Sequence, residues 1–364
     1  FENKNKEIYI SLFRSYPSIV ESKMLNYMRK HDDYQVKKFH TTGWDTISNE
    51  NCSIIVSFSF NGESIILTHL KYLFPFVDLF LISEAKQTFS GLPKKEFFID
   101  IFADKLAPFN SKIKYLIIES FPPMPPDMPF VVDHRYMTNR SIHDINSPQY
   151  QSKYIPNFYE TWYREEYQRG IAAEYLTSSF SSFSSRSSPP LPSFKYLLLV
   201  VDVDEIVKTT VISELKKYYY SALHQPVYLD MDMFYYNFQW KKNQRWQQPF
   251  VIRDTFILNP TNTLSLHAIR TTEYNRTSIM NSGWHCSYCS ANLSDIVRKI
   301  ESFSHIEYNR KDFKDIESIW QKIRNGMDIF DRSSKDESLL LNQDQQGEVD
   351  VSSLPPELQE FQEF

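Results

Sequence analysis

Tyr196-Leu-Leu-Leu-Val-Val201 is an unbroken apolar run, and Asp202-Val-Asp-Glu205 follows it at once. A run with no polar alternation reads as a strand buried on both faces, as in the middle of a parallel sheet. Carboxylates at the end of such a strand are costly unless something compensates them. In open α/β sheets that carboxyl edge is where ligands bind. Asp202 and Asp204 are spaced i, i+2, so they point the same way on an extended chain or converge on one ion if the chain turns. Oxygen ligands suit a hard cation, Mg²⁺ or Mn²⁺, and such an ion bridges phosphates. The plainer alternative is a strand that ends in a solvated acidic turn.

A chain of 364 residues has room for one large α/β domain or two smaller ones. Glycine is scarce, 7 in all, and neither G-x-G-x-x-G nor a Walker A pattern occurs, which removes both common phosphate loops. The net charge of −5 divides unevenly. Residues 331–364 hold nine acids and two bases, a net of −7, which leaves about +2 for the rest. A nearly neutral body does not read as an electrostatic nucleic-acid binder. No run of 18 apolar residues spans a membrane. The first residue is Phe1, so an upstream signal or membrane anchor is expected to be missing. Cys52, Cys286 and Cys289 are too few for a disulfide framework. Four N-x-S/T sequons, at Asn51, Asn139, Asn275 and Asn292, lean toward a secretory route.

Along the chain, Ile8–Phe13 is a candidate strand and Ile54–Phe60 a stronger one. A helix over Glu63–Phe74 places Ile66, Leu70, Leu73 and Phe74 on one face, and Pro75 ends it. Strands over Val77–Ile82 and Lys114–Ile118 then give a βαβ unit with parallel pairing. The Pro-rich stretch Phe121–Pro129 reads as an ordered loop, and Tyr163, Tyr167, Ile171 and Tyr175 mark a helix over 159–176. Thr177–Ser193, with nine Ser and three Pro, reads as a flexible surface insertion. A strand over Val227–Phe238 would put Asp230 and Asp232 on one face. The resulting plan is an N-terminal flanking segment (1–48), an α/β body (49–330) carrying the insertion 177–193, and an acidic, disordered tail (331–364).

Several stretches together resemble glycosyltransferase family 17. They are Ser57–Glu63, Phe80–Gly91, Trp162–Arg169, Val201-Asp-Val-Asp-Glu-Ile206, Phe234–Trp240, Gly283-Trp-His285 and Lys299–Asn309. Their order and spacing carry the resemblance over about residues 52–310. Three departures are Val207 where the family usually has Pro after D-x-D-E-I, the extra Ser-rich insertion at 177–193, and Cys286 in Gly283-Trp-His-Cys-Ser-Tyr288 where the family usually has Leu. The resemblance implies a GT-A fold, that is, a Rossmann-like, mainly parallel sheet binding a nucleotide sugar and a divalent metal. It further implies an inverting, metal-dependent β-1,4-N-acetylglucosaminyltransferase that moves GlcNAc from UDP-GlcNAc to an N-glycan or related acceptor. The alternatives are a different UDP-sugar donor on the same fold, or a non-catalytic glycan-binding protein, against which the intact Asp202 and Asp204 argue. A Golgi or secretory lumen location follows if the source is eukaryotic. Nucleic acid is not an expected partner.

The residues fit that chemistry as follows. As the glycosidic bond breaks, charge grows on the diphosphate, and a metal on Asp202 and Asp204 would neutralise it. Asp204 is the expected direct ligand, Asp202 the ribose or metal contact, and Glu205 a support behind them. His285 is either a third metal contact or a packed histidine beside Trp284, which itself either stacks on a sugar or fills core. Cys286-x-x-Cys289 suggests zinc or a redox pair, although zinc wants four ligands and Cys52 is far away. Glu165 and Arg169, spaced i, i+4, are either a surface pair or, with Arg164, contacts to diphosphate or uracil. Glu84 is a candidate nucleotide contact or a loop carboxylate. The base that deprotonates the acceptor hydroxyl is sought among Asp232, Glu301 and Glu307, with Glu301 and His305 expected on one helical face.

Overall fold

The structure, a computed structural model, describes residues 22, 24–32, 52–128, 155–184, 195–216, 223–258, 265–271, 276–290, 293–332 and 339–341. The candidate strand Ile8–Phe13 and all four sequon asparagines lie outside these residues. The strands are β1 (Ser53–Ser59), β2 (Leu79–Ala85), β3 (Ile113–Ile118), β4 (Tyr196–Val200), β5 (Glu205–Val207), β6 (Val227–Tyr235), β7 (Trp240–Trp246), β8 (Phe250–Arg253), β9 (Ser278–Ser287) and β10 (Leu339–Leu341). The helices that matter here are α1 (Ile66–Leu73), α2 (Phe158–Ser184), α3 (Thr209–Glu214), α4 (Leu266–Thr271), α5 (Leu293–Ser302) and α6 (Ile316–Asn325).

All ten described strands join one mixed sheet. Its main path runs β10-β7-β6-β8-β4-β1-β2-β3, and β9 joins both β5 and β6. The expected βαβ unit is present, with β1 and β2 parallel and α1 between them. Parallel pairing extends through β4-β1-β2-β3. Beyond β4 the sheet turns antiparallel, at β8, β6, β7 and β10, with β6 and β9 the one parallel pair there. Within the parallel section, the chain leaves β1 toward β2 on one side and meets β4 on the other. That makes the gap between the β1 and β4 carboxyl ends a topological switch point.

The apolar run behaves as its composition requires. Every residue of β4 is buried, and its side chains alternate between two cores. Leu197 and Leu199 join Ile54, Val56 and Phe58 of β1 on one face, together with Ile66, Leu70 and Leu73 of α1. Leu198 and Val200 join Ile55 on the other face, under Ala172 and Leu176 of α2. Each fully buried Leu or Ile side chain stabilises such a core by about 1.5–3 kcal/mol.

Three expectations change. Helix α2 runs to Ser184, so the first residues of the Ser-rich stretch continue the helix. Residues 185–194 lie outside the described residues. In the N-terminal flanking segment, Met24, Tyr27 and Met28 are buried in the first core, with Tyr27 stacked on Phe238 at 4.6 Å. In the tail read as disordered, Leu339–Leu341 pair with Trp240–Lys242 of β7.

Gly283 marks a close backbone approach in the sheet. It sits on β9 opposite Val207 of β5 and Met231 of β6. A Cβ there would lie 2.4 Å from the Ile206 carbonyl oxygen, a backbone atom that cannot step aside. Gly283→Ala is expected to cost about 1–3 kcal/mol, the usual range for overpacking, read as a lower urea midpoint at unchanged slope. An unchanged midpoint would show that β5 and β9 can separate freely.

Candidate functional site

A cleft of about 460 Å³ opens at the switch point. Ser59, Asn61 and Glu63 line it from the end of β1, and Asp202, Val203 and Asp204 from the end of β4. Helix α2 contributes Trp162, Glu165 and Arg169, α4 contributes His267 and Arg270, and α5 contributes Lys299.

The Asp-Val-Asp-Glu segment is held from several sides. The Glu205 N–H donates to the Asp202 carbonyl at 3.0 Å, so the chain turns after β4. It then runs as β5 antiparallel to β9, with Glu205 opposite His285. Beneath the turn, His69 of α1 donates from Nδ1 to the Val203 carbonyl at 2.9 Å. Burial depresses the His69 pKa to about 4, although the Val203 bond and Asp204 act the other way, so the ring is neutral at pH 7.

The acids are compensated by cations. Asp202 Oδ1 accepts from Arg169 at 2.9 Å, and its Oδ2 from Arg270 at 2.7 Å. Arg270 also donates to Glu205 at 3.0 Å, and Glu205 accepts from the Trp246 indole N–H. Asp204 Oδ2 accepts from Lys299 Nζ at 2.6 Å, and its Oδ1 lies 3.6 Å from His285 Nε2. Arg169 reaches back to Glu165 at 2.8 Å. Burial works to raise both aspartate pKa values. Arg169 and Arg270 nevertheless hold Asp202 below the usual carboxylate range, and Lys299 and His285 hold Asp204 far below it. Burial raises the Glu63 carboxyl, with Lys299 opposing.

The structure thus brings together Asp202, Asp204, Glu205, Arg169 and His285. It does not bring in the others. Glu84 is fully buried beside the cleft wall, where Lys94 donates to it at 2.9 Å and the Phe98 and Ile99 N–H groups at 2.8 and 3.0 Å. Both its oxygens therefore serve a turn, which is the loop-carboxylate alternative. Arg164 donates to the Phe89 carbonyl at 3.0 Å and does not line the cleft. Asp230 and Asp232 do share a side, since both meet Arg245, but Asp232 is outside the cleft. Glu301 pairs with Lys314 at 3.0 Å and lines a separate pocket with Lys95 and Arg298. Helix α5 stops at Ser302, so Glu301 and His305 do not share a helical face. Glu307 is absent from the cleft lining, whereas His305 is part of it. Trp284 is 1% exposed, a core residue, whereas Trp246 lines the cleft along with Trp162 and lies 4.4 Å from His285. Cys286 and Cys289 form a disulfide with each other, which is the redox-pair alternative of the two readings of this motif.

Among the described residues no group of three or more His, Cys, Asp or Glu is placed to hold a metal ion. The three-residue set Asp202, Asp204, His285 is therefore not assembled, because both Asp202 oxygens face arginines. Asp204 and His285 do meet, and one carboxylate oxygen with one imidazole nitrogen is a donor pair that suits Mn²⁺. Sequence reasoning missed Arg270, Lys299 and Trp246 as site residues. Lys299 opens one of the stretches that carry the family resemblance, whereas Arg270 lies in a segment without any motif.

The Asp204 ion pair gives a pH signature. A depressed folded pKa stabilises fully above the unfolded carboxylate value of about 4 and loses that contribution as pH falls below it. Asp204→Asn is expected to lower stability at pH 7 by about 2 kcal/mol, as for a lost charged hydrogen bond. The deficit should shrink between pH 4 and pH 2 in a urea-unfolding series. A deficit independent of pH would assign the loss to packing instead.

No curated protein matches the chain. The sequence model of Glycosyltransferase family 17 matches residues 134–339. That span includes the acidic strand end, both arginines on Asp202, Lys299 and His285, and it covers more than half of the chain. The chain belongs to glycosyltransferase family 17.

Proposed function

We propose that this glycosyltransferase is of GT-A type and transfers GlcNAc from UDP-GlcNAc to a glycan with inversion, giving a β linkage. The observation that carries the reading is the pairing of Asp202 and Asp204 with Arg169, Arg270 and Lys299 at the switch point. Cations already gathered at a crevice edge are what a diphosphate leaving group needs, and their side chains can exchange a carboxylate for a phosphate oxygen. Arg169 Nε is buried without a hydrogen-bond partner among the described residues, a donor in reserve at this place.

Charge balance supports a metal in addition. Asp202, Asp204, Glu165 and Glu205 meet Arg169, Arg270 and Lys299, four carboxylates against three cations, for −1 with all ionised. A nucleotide diphosphate adds further negative charge, so a divalent cation entering with it restores balance. Asp204 and His285 are the residues that would hold Mn²⁺ or Mg²⁺, which would supply Lewis-acid stabilisation of the departing diphosphate. Around that position, Glu205 fixes Arg270 and Trp246, and His69 fixes the Val203 carbonyl, so the donors are oriented before substrate arrives.

The acceptor reading, a β-mannose of an N-glycan core or a related glycan, rests on the family alone. The Cys286–Cys289 disulfide and the sequons suit an oxidising secretory lumen, and the Golgi is the proposed location. No helix among the described residues is long and apolar enough to cross a membrane.

UDP should raise the melting temperature, and more so with Mn²⁺ than with EDTA. UDP release should be fastest with UDP-GlcNAc across a panel of UDP-sugars, and the product's anomeric proton should show the large coupling of a β linkage. A preference for another UDP-sugar would overturn the donor, an α product would overturn inversion, and indifference to Mn²⁺ would overturn the metal.

A further inference from the structure

An inverting displacement needs a base across the cleft from the leaving group. The cleft's own acids are spent. Asp202 and Asp204 are held by Arg169, Arg270 and Lys299. Glu165 is shared between Arg169 and the Ser304 hydroxyl. Glu63 accepts the Asn61 N–H at 2.8 Å and stands with Asp204 and Lys299 on the leaving-group side.

One group on the cleft wall is different. His305 lines the cleft and its side chain is 47% exposed. Its Nδ1 lies 2.7 Å from Glu307 Oε1. A carboxylate at that distance fixes the tautomer, with the proton on Nδ1, and leaves Nε2 as the acceptor. The other Glu307 oxygen is buried and has no hydrogen-bond partner among the described residues, where His305 is the one side chain bonded to the carboxylate. The ring is steadied by Trp162, edge-on at 4.8 Å, and by Phe303 and Tyr308. The loop that carries it is tied to α2, where Thr161 donates to the Ser304 carbonyl at 2.9 Å.

We infer that His305, oriented by Glu307, is the general base that accepts the proton of the acceptor hydroxyl. The inference rests on the transferase reading above and deepens it. In the step, the acceptor O–H proton passes to His305 Nε2. The acceptor oxygen forms its bond to the sugar's anomeric carbon, and the bond from that carbon to the diphosphate oxygen breaks, its electron pair leaving with the diphosphate. This is the base-and-orienter arrangement of hydrolytic triads applied to a sugar acceptor. His305 is the catalytic residue and Glu307 the positioning residue.

The charged and titratable groups facing His305 are Glu307 on its own turn, Glu165 from α2, Tyr308 and Arg332. Partial desolvation at the cleft wall lowers its pKa, but Glu307 and Glu165 outweigh that and Arg332, so the value stands above the ordinary one. Transfer should therefore fall on the acid side as His305 gains a proton.

The test is kcat against pH for the unsubstituted protein and for His305→Gln, Glu307→Gln and Glu63→Gln, with UDP affinity measured on each by calorimetry. His305→Gln should lower kcat roughly 10²- to 10⁴-fold with UDP affinity unchanged. Glu307→Gln should move the acid limb to lower pH by on the order of one unit, which a merely structural contact would not do. A His305→Gln kcat within about tenfold of the unsubstituted value overturns the inference. So does an acid limb that Glu307→Gln leaves in place, or one that moves with Glu63→Gln instead. Absence of UDP binding by the unsubstituted protein overturns the UDP-sugar reading, and the base with it.

Discussion

Burying charge at the end of β4 is the constraint that organises this molecule. Asp204 is 4% exposed and Glu205 fully buried, at a depth where an uncompensated carboxylate would be driven neutral. Compensation arrives from three separate helices, with Arg169 on α2, Arg270 on α4 and Lys299 on α5. Each helix must dock at a fixed height for its cation to reach, so ion pairing and helix placement specify one another. A buried ion pair is a poor source of net stability. Here the apolar faces of β1, β4, α1 and α2 stabilise the fold, and the charges fix how the helices sit on it.

Legibility in the sequence followed the range of the interactions. The β4 strand, α1 and the βαβ pairing depend on local periodicity and were readable to within a few residues. The antiparallel half of the sheet was not, because β5 and β9 are joined by long-range pairing that no local pattern announces. Asp202, Asp204, Arg169 and His285 were recoverable from the strand-end acids and the family motifs. Arg270 was not, since a lone arginine on a six-residue helix looks like any surface arginine until tertiary structure buries it. In the sequence, Asp232, Glu301 and Glu307 stand out as acid candidates only by residue type. Only the end of α5 at Ser302 shows that His305, and not Glu301, faces the cleft.

Rigidity at the site has a traceable origin. β9 is paired on both sides, to β5 and to β6, so His285 cannot shift without breaking two ladders. Just beyond it, the Cys286–Cys289 disulfide closes a tight loop around Tyr288, which takes a left-handed backbone conformation (φ 57°) and lines the cleft. The wall that carries His285 and Tyr288 is thus set by covalent and backbone geometry, whereas the Lys299 and His305 side is set by packing of α5 and the turns that follow.

The far end of the sheet has a different bearing. β3 pairs with β2, and no other described strand pairs with it. Its sequence, Ile113-Lys-Tyr-Leu-Ile-Ile118, is strongly apolar and β-branched, and Ile117 is 40% exposed. Such an edge invites another chain to add a strand. Two features blunt it. The strand is only six residues long, and Lys114 places a charge within it that a second copy in register would have to face at close range. Lys114 does not line the cleft, and its charge sits where strand addition would bring a second chain against the sheet edge.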